Sequence, residues 1–182
     1  MRTIRTFLAL SFLVLSLSSA NALQVNAASD RPRVRTITAF LHVDHDHYQA
    51  QFADAVTMLR AARKQFESDG WTVQTIRIAT QPFPEYVRGM KHDAALAFLM
   101  ELDAIAAKEE FRLAIGPAMS KDSDDTTMTD LLAEMLAKAK ATNGTAIIAA
   151  EDGIHWKAVA SVAKLIKRLA ELITAGMVCP SP

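Results

Sequence analysis

The sequence predicts an α/β domain built on a parallel sheet, and three features of the chain carry that expectation. Runs of apolar and β-branched residues alternate with stretches in which apolar residues recur at three- and four-residue spacing. The strand runs are nearly unbroken apolar, as strands buried on both faces require. Successive strand runs are separated by about 30 residues containing a helix, which is the length of a parallel crossover unit.

The first strand is expected at Val34–Leu41, where Thr36 and Thr38 interleave with apolar residues. Phe52, Val56, Leu59, Ala62 and Phe66 then mark a helix, with Gly70 where a helix C-terminus favours glycine. Trp71–Thr80 reads as the second strand, stopped by Pro82 and Pro84 because proline cannot donate to a ladder. Leu96, Leu99, Leu102 and Ile105 place a long helix over Asp93–Lys108. Phe111–Ile115 is a short third strand ended by Gly116-Pro117, and Lys121–Thr129 is polar and acidic enough to be an exposed loop. Leu131, Leu132, Met135 and Leu136 carry a helix to Ala141, after which Asn143-Gly144 turns the chain into an apolar fourth strand, Thr145–Ala150. The last helix starts near His155 and shows Val159, Val162, Ile166, Leu169 and Ile173 on one side. Neighbouring strands in sequence should also be neighbours in the sheet, joined by right-handed crossovers.

Four segments carry a family resemblance. Trp71-Thr-Val-Gln-Thr-Ile-Arg-Ile-Ala-Thr-Gln-Pro-Phe-Pro-Glu85 is the most distinctive, and it stands with Val34-Arg-Thr-Ile-Thr-Ala-Phe40, Phe111-Arg-Leu-Ala-Ile-Gly-Pro-Ala118 and Gly153-Ile-His-Trp-Lys-Ala-Val159. Together they resemble the family catalogued as domain of unknown function 711, over about Val34 to Gly176. The resemblance implies an α/β barrel similar in architecture to glycyl-radical enzymes, in proteins more than twice as long, with no assigned activity. Four strands cannot close such a barrel, which needs ~8. The expectation is a partial barrel, either a half-barrel with raw sheet edges or a truncated family member, with truncation the preferred reading.

The expected organisation is a signal peptide over residues 1–22, a flexible linker over 23–33, the α/β domain over 34–176 and a divergent tail over 177–182. Arg2 and Arg5 precede an apolar run from Phe7 to Leu17, and Ser18-Ser19-Ala20 and Ala20-Asn21-Ala22 offer small residues for cleavage. That run is shorter than the ~20 residues of a membrane span, so a secreted product is expected, with a mitochondrial presequence as the alternative. Hydrophobic residues make up 51% of the 182-residue chain, enough for an ordinary core. Twenty basic and 20 acidic residues cancel, which argues against nucleic acid as a partner. Cys179 is the only cysteine, so an intrachain disulfide is excluded.

Parallel α/β folds build sites at the carboxyl ends of their strands, and the expected strand ends at His42, Thr80, Gly116 and Glu151 should share one rim. His42, Asp44, Arg77, Glu151 and His155 are the candidate ligand residues. In His42-Val-Asp-His-Asp-His47 the residue types suit a divalent metal, but a solvated loop in which Asp44 or Asp46 caps the next helix is the simpler reading. Glu151-Asp152-Gly153-Ile154-His155 could perform acid–base work, and capping of the last helix by Asp152 is again simpler. Arg77, between Ile76 and Ile78, needs either a buried carboxylate or an anionic ligand. Ser120-Lys-Asp-Ser-Asp-Asp125 lacks the glycine and distal glutamate of a calcium loop. Asn143-Gly144-Thr145 is a glycosylation acceptor in a eukaryotic host. No phosphate-binding glycine loop, nucleophile elbow or dinucleotide fingerprint is present, and no cofactor is expected. The functional expectation is therefore an uncharacterised barrel-derived protein with a small anionic ligand at its rim. The alternative is a secreted interaction module that recruits a partner or a second copy through an unpaired sheet edge.

Overall fold

In the computed structural model, residues 32–175 are described. The expected signal peptide, nearly all of the linker, and the tail with Cys179 lie outside them. The elements run in the order β1 (Val34–Leu41), α1 (Tyr48–Ser68), β2 (Val73–Pro82), a single turn α2 (Phe83–Tyr86), α3 (His92–Lys108), β3 (Arg112–Gly116), α4 (Thr127–Leu136), β4 (Thr142–Asn143), β5 (Ala149–Ala150), β6 (Gly153–Ile154) and α5 (Trp156–Thr174).

β1 to β4 form one sheet in sequential order, and every neighbouring pair is parallel. The expected α/β class and pairing are thus observed. Side chains alternate between the two faces of each strand, and the register brings Ile37, Ala39, Ile76, Ile78, Leu113 and Ile115 onto one of them. That face meets Phe52, Val56 and Leu59 of α1, Leu99 and Leu102 of α3, and Leu131 and Met135 of α4 in a single apolar core. Burial of such side chains, about 1.5–3 kcal/mol each, is what fastens the helices to the sheet.

The opposite face presents Thr36, Thr38 and Phe40 of β1, Thr75, Arg77 and Ala79 of β2, and Arg112 and Ala114 of β3. None of these belongs to the core, and Phe40 is 86% exposed. Among the described residues, then, the helices cover one face and leave the other open. Sequential strand order with crossovers of one hand has this consequence. Barrels with helices outside and strand faces inside are built the same way, although four strands are too few to close one.

Buried polar bonds complete the packing. Asp103, 3% exposed among the apolar residues of α3, accepts the amides of Lys140 and Ala141 at 2.9 Å and the Thr142 hydroxyl at 2.8 Å. It thereby holds the chain entering β4 against α3. Glu134 of α4 accepts from His92 of α3 and from Arg168 of α5, each at 3.0 Å, and links three helices.

The C-terminal third departs from expectation. The fourth strand of the sheet is Thr142–Asn143, not Thr145–Ala150. Ala149–Ala150 instead pairs antiparallel with Gly153–Ile154 in a small hairpin. The chain does run beside the segment after β3, since Ala118 N donates to Thr145 O and Ile147 N to Met119 O, both at 2.8 Å. It has already passed Gly116-Pro117, however, where the missing proline N–H interrupts the ladder. Ile147 and Ile148 accordingly end up exposed rather than buried. The expected exposed loop is also shorter than Lys121–Thr129, because α4 begins at Thr127 and Thr129 is buried.

Candidate ligand site

The carboxyl ends of the strands are organised by glutamines. Gln81, at the end of β2, receives the Val43 amide at 2.9 Å and donates to Val43 O at 3.0 Å, and its amide nitrogen also lies 3.4 Å from His42 Nδ1. Gln51 of α1 donates to His42 O at 3.0 Å and accepts from Asp44 N at 2.9 Å. The loop after β1 is thus clamped to the end of β2. Asp44 accepts from Asp46 N at 3.0 Å and bonds His47 Nδ1 at 2.9 Å. The His47 bond holds the Asp44 carboxyl below its usual range and raises His47 in return. Neither Asp44 nor Asp46 caps α1, whose N-cap residue is His47 and whose first turn receives no side-chain capping bond. The turn at residues 44–47 directs the Asp44 carboxylate at its own loop instead.

β2 and β3 approach unusually closely at their ends. A Cβ built on Gly116 would lie 2.1 Å from Gln81 O, so only glycine fits there. The register shifts between Ala79 and Pro82, and Gly116 N donates to Thr80 Oγ1 at 3.1 Å. Tyr86 OH lies 3.3 Å from that hydroxyl, and burial pushes its phenol well above the usual value. Beyond these strand ends lies a cavity of about 340 Å³ lined by Arg88, Lys121, Glu85, Asp124 and Asp125 among others. Its carboxylates are partly spent on loop amides: Asp124 accepts from Ser120 N and Lys121 N, and Asp125 from Thr127 N. Two cations against three carboxylates do not favour an anion in this cavity. A cavity of about 350 Å³ at the amino ends of β2 and β3 is lined by Arg63, Arg112, Lys140 and Glu110. There Arg63 is tied to Val73 O and Gln74 O, and Arg112 to Lys140 O, which is the work of a structural end.

The hairpin brings His155 and Asp152 together at 2.9 Å, while His155 Nδ1 lies 3.1 Å from Ile147 O. His155 is 2% exposed. With both ring nitrogens engaged, neither is left for a substrate proton, so the pair is not a general base of the usual kind. Glu151 is exposed in the hairpin turn after β5, outside the four-stranded sheet whose strand ends were expected to share a rim with it. Asp152 does not cap α5 either. The amides of Lys157 and Ala158 go to Asp122 Oδ1, at 2.6 and 3.4 Å.

Arg77 sits mid-strand on the open face. Its register partners are Thr38 and Arg112, and no carboxylate occupies a neighbouring position on that face. The arginine ion pairs of the described residues engage Arg60, Arg63 and Arg168 but not Arg77. Its Nε is buried without a hydrogen-bond partner, and so is Thr36 Oγ1, diagonally across the strand pair. A buried charged donor without an acceptor is costly, and a second cation alongside adds repulsion.

Of the five candidate residues, His42 and Asp44 share the clamped loop after β1, Arg77 lies on the open face, and Glu151 and His155 belong to the hairpin. Among the described residues no group of three or more His, Cys, Asp or Glu side chains converges as metal ligands would. Asn143 is exposed in β4. The residues that sequence reading missed are Gln51, Gln81, Asp103, Asp122 and Arg112. Only Asp103 left a signal, as a charge inside the apolar stretch of α3.

A comparison with curated proteins finds no match. No helix of the described residues is long and apolar enough to cross a membrane. A model of the family described as Uncharacterised ACR (DUF711) matches residues 27–180, most of the chain, and brings no assignable reaction with it. With its parallel strand–helix core and that match, the chain belongs to the DUF711 family.

Proposed function

We propose that this domain binds a small oxyanion, a carboxylate or phosphate, on the open face of its sheet, with Arg77 as the principal contact. The observation that supports this reading is the buried Arg77 Nε without an acceptor. A guanidinium offers two parallel N–H donors through Nε and one Nη, matched to two oxygens of a carboxylate or phosphate. The hydroxyls of Thr36 and Thr38 add donors beside Arg77 on β1. In this reading His42 and Asp44 belong to the clamped loop at the strand ends, and Glu151 and His155 to the hairpin, apart from the site. No reaction is assigned. The leader supports export as the route to its compartment, with a mitochondrial presequence as the alternative. After export from a eukaryotic cell, the exposed Asn143 acceptor would be open to glycosylation.

Titration calorimetry with citrate and with inorganic phosphate on the wild-type protein and Arg77→Gln tests the reading. Saturable binding that falls at least about tenfold in the variant, the loss of a ~1.4 kcal/mol charge-assisted contact, supports it. Equal binding by the two proteins overturns it. Self-association through a sheet edge is a second reading, favoured by the position of β1, an eight-residue strand at the end of the sheet with Phe40 86% exposed. A monomer at all concentrations in analytical ultracentrifugation removes that reading.

A further inference from the structure

His155 gathers the short stretch of chain that precedes α5, from Ile147 to Asp152, around one ring. Its main-chain amide donates to Ile148 O at 2.9 Å. Its Nδ1 lies against Ile147 O and its Nε2 against Asp152 Oδ1. A carbonyl and a carboxylate can only accept, and a neutral imidazole carries only one N–H. Both bonds are therefore complete only when the ring is an imidazolium. Around it stand Asp152 of the hairpin turn and Asp122 of the loop before α4, with Lys121 facing Asp152. The N-terminus of α5 works against a cation at this position, and the two carboxylates outweigh it.

We propose that His155 is a proton-operated latch that fastens the β5–β6 hairpin to the start of α5 when protonated and releases one side of it when neutral. Release frees either Ile147 O or the Asp152 carboxylate, and so loosens a hairpin whose surface is apolar: Ile148, Ile154 and the adjoining Trp156 are all exposed. The hairpin would thus be ordered in a mildly acidic medium and mobile in a neutral or alkaline one. The hydrogen bond to Asp152, then that to Ile147 O, raises the His155 pKa above 6.5. The latch is accordingly complete below that value and opens as pH rises through the folded-state value.

Amide hydrogen exchange on the whole chain between about pH 5 and about pH 8 tests this, after correction for the intrinsic exchange rate. The amide of His155 should lose protection by at least about tenfold over that range, while amides in the middle of α5 hold theirs. His155→Gln should be insensitive to pH at the same amide, and Asp152→Asn should shift the transition to lower pH. The proposal is overturned by protection that does not change with pH in the wild type. A loss shared equally by α5 and the sheet overturns it too, since that is global unfolding. If His155→Gln does not fold, the Asp152→Asn shift and the ring titration of His155 decide: a folded-state pKa below 6.5 contradicts the latch.

Discussion

Asp122 Oδ1 accepts the main-chain amide of Lys157 at 2.6 Å, across 35 residues of chain. The last helix thus takes its cap from the loop before α4 rather than from the acidic residue just ahead of it. Asp122→Ala should destabilise the domain by about 1 kcal/mol, the usual worth of an N-cap. Urea denaturation followed by circular dichroism measures the loss. Exchange of the Lys157 amide should quicken in this variant and stay unchanged in Asp152→Ala. The reverse pattern would restore Asp152 as the cap.

Asp103 has three partners that lose their acceptor together when it is removed: Lys140 N, Ala141 N and Thr142 Oγ1. Asp103→Ala is expected to cost about 3 kcal/mol or more, because unsatisfied buried donors cost about 1–3 kcal/mol each and neighbouring losses do not add fully. Asp103→Asn should recover part of that stability, since an amide still offers one acceptor oxygen. A loss below ~1 kcal/mol for the alanine variant in urea titration would mean that water replaces the carboxylate.

The same contrast explains how much of the molecule was legible in the sequence. Val34–Leu41 and the helices of Phe52–Phe66 and Leu96–Ile105 are local patterns, and the structure follows them. The Thr145–Ala150 run failed as a strand of the sheet because its apolar composition says nothing of where β3 ends. Pro117 and Gly116 fix that end, and the chain overshoots it. Asp122, Gln51 and Gln81 were illegible for another reason. Their partners lie 35, nine and 38 residues away, and only the fold brings them together. Arg77 was legible as a buried charge in want of a partner, but not as a residue of the open face.

Gly116 offers the sharpest steric prediction. A methyl group at this position meets Gln81 O and C and Pro82 N, all main-chain atoms, which cannot rotate away as a side chain would. Gly116→Ala should cost about 1–3 kcal/mol, the range for overpacking. It should also disturb the clamp between Gln81 and Val43, which amide chemical shifts of Val43 and Asp44 would report. A variant as stable as wild type would show that the strand ends separate freely.

The Glu134 carboxyl, bonded to His92 and then to Arg168, is held below its ordinary value of 4.5. A depressed folded-state value contributes stability above 4.5 that is lost as pH falls through the folded value. Wild type and Glu134→Gln should therefore converge in thermal midpoint on acidification and separate above about pH 5. The separation should be modest, because all three groups are partly solvated and salt screens them. A gap independent of pH down to about pH 3 would assign the Glu134 contribution to packing instead.

The open face with Arg77 is the centre of the account, and the Nε–Hε resonance of Arg77 reads it most directly. In a ¹H–¹⁵N spectrum assigned by its loss in Arg77→Lys, that resonance should move downfield and saturate as citrate or phosphate is added. The corresponding resonance of Arg60, already paired with Glu109, should stay in place. A resonance of Arg77 that ignores both anions, or moves only in step with every other arginine as ionic strength rises, would contradict the account.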